Sequence, residues 1–103
     1  MGGRYVHASG WPNGSGYFGI RISHADRDRF FDRSWSSVTL ETESGPLEAS
    51  LSPSFWRNCS ELRGKQIVQW LRGKGFAPWP RGNPPHFDLQ PLSAGQFKLS
   101  ARE

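Results

Sequence analysis

Short runs of this 103-residue chain place apolar side chains at every second position: Phe18, Ile20 and Ile22; Val38 and Leu40; Phe87 and Leu89; Phe97 and Leu99. A period of two marks a strand with one buried face, because successive side chains leave the backbone on opposite sides. The pattern predicts strands over Arg4–Ala8, Tyr17–Ile22, Val38–Glu43, Leu47–Leu51, Phe87–Gln90 and Gln96–Leu99. Ser44-Gly45-Pro46 turns one hairpin, and the Pro91–Gly95 segment turns another. Ser9 to Gly16, small and flexible residues around Trp11, reads as a loop.

Two segments depart from that period. Ser23 is a helix N-cap candidate before Ala25–Phe31, with Asp26 in the first turn. The Asp26-Arg27-Asp28 triplet reads as an exposed helical turn. Ser60 is the next cap candidate, before a helix over Glu61–Arg72. There Ile67, Trp70 and Leu71 share one side, and Lys65, Gln69 and Arg72 the other. Glu61 stands one turn ahead of Lys65, in the favourable order for an ion pair. Phe76 to Pro85 contains four prolines in ten residues, which fixes φ and removes donors, so it reads as a stiff, extended surface segment. The expected fold is α+β and mainly β: a small antiparallel, barrel-like sheet with two short helices, in one domain spanning residues 1–103.

Only 35% of the residues are hydrophobic, but five Trp, seven Phe and two Tyr supply large buried areas, with Trp35, Trp56 and Trp70 as core candidates. The longest apolar runs are two or three residues, so no membrane span is expected. Met1-Gly2-Gly3-Arg4 carries no apolar signal segment, and Val6 stands where a myristoylation motif has Ser or Thr. A single cysteine, Cys59, allows neither an intrachain disulfide nor a Cys-rich zinc site. The chain reads as a cytoplasmic monomer that needs no cofactor.

Charge is unevenly distributed. Between Arg57 and Arg81 stand Arg57, Arg63, Lys65, Arg72, Lys74 and Arg81 against one acid, Glu61, a net of +5 where the whole chain is +4. Trp56, Trp70, Phe76 and Trp79 are interleaved with them. Basic residues mixed with aromatics point to a polyanion, of which nucleic acid is the commonest. The bland alternative is a solvated Lys/Arg face over a tryptophan core.

No catalytic set stands out, and no metal site. His7, His24 and His86 lie in separate elements without metal-ligand spacing. His86 and Asp88 share one strand face and are the only acid/base candidates, those of a small nuclease. Cys59 has no identifiable base.

The order of elements resembles the B3-like pseudobarrel DNA-binding domains of plant transcription factors and of restriction-endonuclease effector domains. The matching pieces are the polar loop Ser9 to Gly16, the strand Tyr17 to Ile22 running into a short helix that ends in Phe30-Phe31, the turn Glu43-Ser44-Gly45, Trp70-Leu71, and the closing strands Phe87 to Leu89 and Phe97 to Leu99. Asn58 to Trp70 is similar to the restriction-enzyme version. Ser23 stands where the family usually has proline, the usual Gly-Asp pair before the last strands is absent, and Pro78 to Pro85 is foreign to the pattern.

The resemblance implies that two arms grip duplex DNA in the major groove. One is the loop Ser9 to Ser15, with Trp11, Asn13 and Ser15. The other is Ser52 to Lys65, with Arg57, Asn58 and Arg63. By side-chain type, Arg pairs with guanine and Asn with adenine, while Lys65, Arg72 and Lys74 hold phosphates; Arg81 ends the basic stretch. Two alternatives stay open. One is a single-stranded DNA or RNA module stacking bases on Trp11 and Trp79, residues that are otherwise loop anchors. The other is a protein-interaction module presenting Pro78 to Pro85.

Overall fold

The computed structural model describes residues 5–12 and 17–102. Its elements are strands β1 (Val6–Pro12) and β2 (Phe18–Ile22), helix α1 (His24–Phe30), strands β3 (Ser37–Thr42) and β4 (Gly45–Ser50), a 3-10 turn (Pro53–Trp56), strand β5 (Glu61–Leu62), helix α2 (Lys65–Gly73), and strands β6 (His86–Ser93) and β7 (Gln96–Arg102). The strands form one seven-stranded sheet in the order β4-β3-β7-β6-β1-β2-β5. Every pairing is antiparallel except β3 with β7. The edges β4 and β5 meet through Ser50 and Arg63, where the Ser50 N–H donates to the Arg63 carbonyl at 2.8 Å. That bridge nearly closes the sheet into a barrel, and the mainly β, barrel-like architecture with two short helices is the one the alternation predicts.

The apolar period fills the barrel. Val6, Ile20, Leu40, Leu62, Phe87 and Leu89 are fully buried. α2 packs against β2 and β4 and buries Ile67, Trp70 and Leu71, the side anticipated from its 3.6-residue period. Phe31, just past α1, stacks on Phe97 at 4.8 Å and tilts against Phe55 at 5.3 Å. A second aromatic group joins Trp70, Phe76 and Phe87 at centroid distances of 5.3–5.7 Å. Trp70 is core as expected, and Trp35 and Trp56 are half-buried against it.

Four local expectations are corrected. Ser9 to Pro12 is strand, not loop: these residues pair with Arg21 to Phe18, and cross-strand pairing outweighs the weak strand propensity of Ser and Gly. α2 starts at Lys65, not Glu61, because Glu61 and Leu62 pair with Arg21 and Ile20, and Gly64 at φ 156° separates strand from helix. Ser60 is therefore no N-cap; it is buried, and its hydroxyl donates to the Ile22 carbonyl. Ser23 does cap α1, accepting from the Asp26 N–H at 3.1 Å.

Arg27 is the third correction. It is 6% exposed, with one guanidinium nitrogen donating to the Phe55 carbonyl at 3.1 Å and its Nε to Asp28 at 2.9 Å. The triplet around it is thus a tie between α1 and the 3-10 turn. The fourth is the proline-rich segment. It bends through a turn in which the Asn83 N–H donates to the Pro80 carbonyl at 3.0 Å, then runs back along β1, where Pro85 accepts from Gly10 at 2.9 Å. Trp79 packs against Phe18 at 4.9 Å, so it is an anchor.

Phe87 is fully buried and touches both α2, through Trp70, and the segment after it, through Phe76. Phe87→Ala is expected to lower unfolding free energy by about 3–5 kcal/mol, while Leu92→Ala, at an exposed position, changes it by less than about 0.5 kcal/mol. Urea denaturation of the two variants checks the contrast.

Candidate functional site

Side chains directly opposite one another on paired strands share a face of the sheet. Trp11 is opposite Gly19, and Arg21 is opposite both Ser9 and Glu61. Trp11, Arg21 and Glu61 therefore lie on one outer face of β1, β2 and β5. Trp11 remains 37% exposed, and the Arg21 guanidinium lies 4.2 Å from its ring centroid. A cation over an aromatic face is attracted by the ring's negative quadrupole.

Glu61 is 1% exposed although it stands on this outer face. Its side chain fills the space above Gly19, where a Cβ would come within 2.1 Å of its carboxylate. Arg63 Nε donates to the carboxylate at 3.0 Å, and the Cys59 thiol approaches it at 3.6 Å. Arg63 Nη2 also reaches the Cys59 sulphur at 3.8 Å. Partial burial disfavours the Arg63 charge, but the hydrogen bond and charge of Glu61, with the Cys59 contact, outweigh it and hold the pKa above the usual guanidinium value. Arg63 is thereby held by Glu61 with its side chain still 40% exposed. The ion pair expected between Glu61 and Lys65 is replaced by this one, because Glu61 is in a strand and not one helical turn before Lys65.

The start of β2, at the turn end of the β1–β2 hairpin, and the start of α2 come together. Tyr17, Phe18, Arg63, Gly64, Lys65, Val68 and Gln69 line a common depression of about 490 Å³. Arg72, one turn beyond Gln69, places its guanidinium 5.3 Å from the Phe18 ring centroid. Lys65, Gln69 and Arg72 all lie on the exposed side of α2. Arg57 and Asn58 are exposed just after the 3-10 turn that precedes β5.

The sequence-derived candidates thus divide. Trp11, Arg63, Lys65 and Arg72 are brought to the side of the barrel where the hairpin meets the β5–α2 junction, with Arg57 and Asn58 on the segment leading into it. Asn13 and Ser15 lie outside the described residues. Lys74 is drawn elsewhere: nine residues after Lys65 it is half a turn around the helix, and it bonds Glu43 at the β3–β4 turn. That contact lowers the Glu43 pKa through the hydrogen bond and the lysine charge. Arg81 is exposed in the turn beyond Trp79.

Sequence reasoning passed over Arg21, Tyr17 and Gln69 as site residues. Arg21 carried a signal, since it occupies the outward position of the Ile20–Ile22 alternation, where an arginine covers the solvent face. The acid/base candidates are otherwise engaged: Asp88 accepts from Arg102 at 2.7 Å, and His86 stacks on His7 with ring nitrogens 3.3 Å apart. Among the described residues no cluster of three or more His, Cys, Asp or Glu is placed to hold a metal ion, and no helix is long and apolar enough to cross a membrane. No family model, curated protein or solved structure matches the chain.

The Gly19–Glu61 contact sets a stability test. Gly19→Ala forces the buried carboxylate aside and is expected to cost about 1–3 kcal/mol by overpacking. Gly73→Ala, with open space around the new methyl group and a better helix former in the last turn of α2, is expected to be neutral or stabilising by up to about 1 kcal/mol. Thermal unfolding of the two variants checks the difference in sign.

Proposed function

We propose that this chain is a non-catalytic module that binds duplex DNA, gripping the major groove between the β1–β2 hairpin and the segment from Ser52 to Lys65. The observation that carries the reading is that the start of β2 and the end of that segment, Arg63 to Lys65, far apart in sequence, line one depression, and that the basic stretch Arg57 to Arg81 runs through it. In this reading Arg57, Asn58 and Arg63 read base edges, with Arg63 aimed by Glu61. Lys65 and Arg72 hold phosphates and set the register. Trp11, with Arg21 stacked on it, and the hairpin residues Asn13 and Ser15 form the other arm. Lys74, tied to Glu43, and Arg81 contribute at the periphery.

A single-strand-binding module is the second reading, favoured by the exposure of Tyr17 and of the Trp11 face that Arg21 does not cover. Trp79, the other proposed stacking residue, is taken up by Phe18. Docking of a partner protein on Pro78 to Pro85 is weakened by the same contact, since the segment lies against β1.

Fluorescence anisotropy with duplex DNA, single-stranded DNA and RNA at several salt concentrations separates the readings. Duplex affinity is expected to exceed the others and to fall linearly on a log–log salt plot. Arg57→Ala is expected to cost about 1–3 kcal/mol on the best duplex and less on scrambled ones. Lys65→Ala should weaken all duplexes alike and reduce the salt slope by about 1. Charge reversal at Arg29 and Arg33 serves as the control, Arg27 being buried. Preference for single strands, with Arg57→Ala silent, would overturn the duplex reading.

A further inference from the structure

The depression between the hairpin and α2 has features that phosphate binding alone does not require. Tyr17 is 62% exposed on one wall, and the half-buried Phe18 and Val68 supply apolar surface beside it. Arg63 and Lys65 stand at its rim, and the Gln69 amide, a paired donor and acceptor, faces the same space. Its volume of about 490 Å³ falls within the range of small-molecule sites, about 300–1,000 Å³. Apolar walls, a bidentate amide and two cations together match one chemical object: a flat base with a hydrogen-bonding edge, attached to a phosphate.

We propose that this depression receives a single nucleotide extruded from the bound duplex, its base against Tyr17 and Val68, its edge on Gln69 and its phosphate on Lys65. The inference rests on the duplex-binding reading above and adds to it a site for one unpaired nucleotide. Charge complementarity selects the occupant, because Lys65 at the rim is one of the residues that would already hold the DNA backbone. Extrusion costs the stacking and pairing of one base, and that cost is least where the base is already unpaired.

The test uses a set of duplexes in which one mismatch is walked through every position, with affinity measured at fixed salt. One position is expected at which the mismatch tightens binding tenfold or more. Val68→Trp fills the depression and should erase that gain while leaving the salt slope on matched duplex unchanged. Gln69→Ala, at an exposed helix position, should flatten the preference among the four bases at that position at least fivefold. If mismatches act equally at all positions, or if the gain persists in both variants, duplex binding stands and the extruded nucleotide is overturned. If no duplex binds at any salt, the duplex reading fails, and this inference fails with it.

Discussion

Two residues hold one edge of this barrel. Glu61 and Leu62 form the whole of β5, paired with β2 on one side, and the next carbonyl, that of Arg63, accepts from Ser50 of β4 on the other. Without that seam the sheet would have two open edges, and α2 would have no fixed starting point. The seam also explains why a strand of two residues persists where a helix was expected. Leu62 enters the apolar interior, Glu61 lies over Gly19 with its N–H donating to the Cys59 carbonyl at 2.8 Å, and both residues pair with β2. Helix propensity, worth a few tenths of a kcal/mol per residue, is outweighed by that burial.

The same seam places the basic segment. Glu61 is the only acid between Arg57 and Arg81, and it is covered by the protein. Its charge is matched locally by Arg63, whose Nε lies 3.0 Å from the carboxylate. A buried carboxylate next to a half-exposed arginine orients the guanidinium. The absence of a side chain at Gly19 is the steric condition for this arrangement.

Away from the seam, the aromatic residues bind the helices and loops to the barrel. Phe31, Phe55 and Phe97 join the end of α1 to the 3-10 turn and β7, and Trp70, Phe76 and Phe87 join α2 to β6. Arg27 adds a polar tie between α1 and the 3-10 turn. These contacts fix the start of the segment that leads through Arg57 and Asn58 to β5. The proline-rich segment has a similar part, since Trp79 and Pro85 brace β1 and β2 beneath the hairpin.

The fold class is legible in the residues, because a period of two in short aromatic-rich runs has one economical solution, a half-buried sheet, and because the 3.6 period at Ile67, Trp70 and Leu71 selects the inner side of α2. The basic segment is legible too, since charge can be counted along the chain. Pairing across long sequence separations is not. Glu61 is strand and not helix because Arg21, forty residues earlier, lies opposite it; Arg27 is buried because Phe55 offers a carbonyl; Trp79 is an anchor because Phe18 lies beside it. The depression of Tyr17 and Gln69 was invisible for the same reason: its walls come from two elements whose meeting is set by barrel closure, which no local pattern encodes.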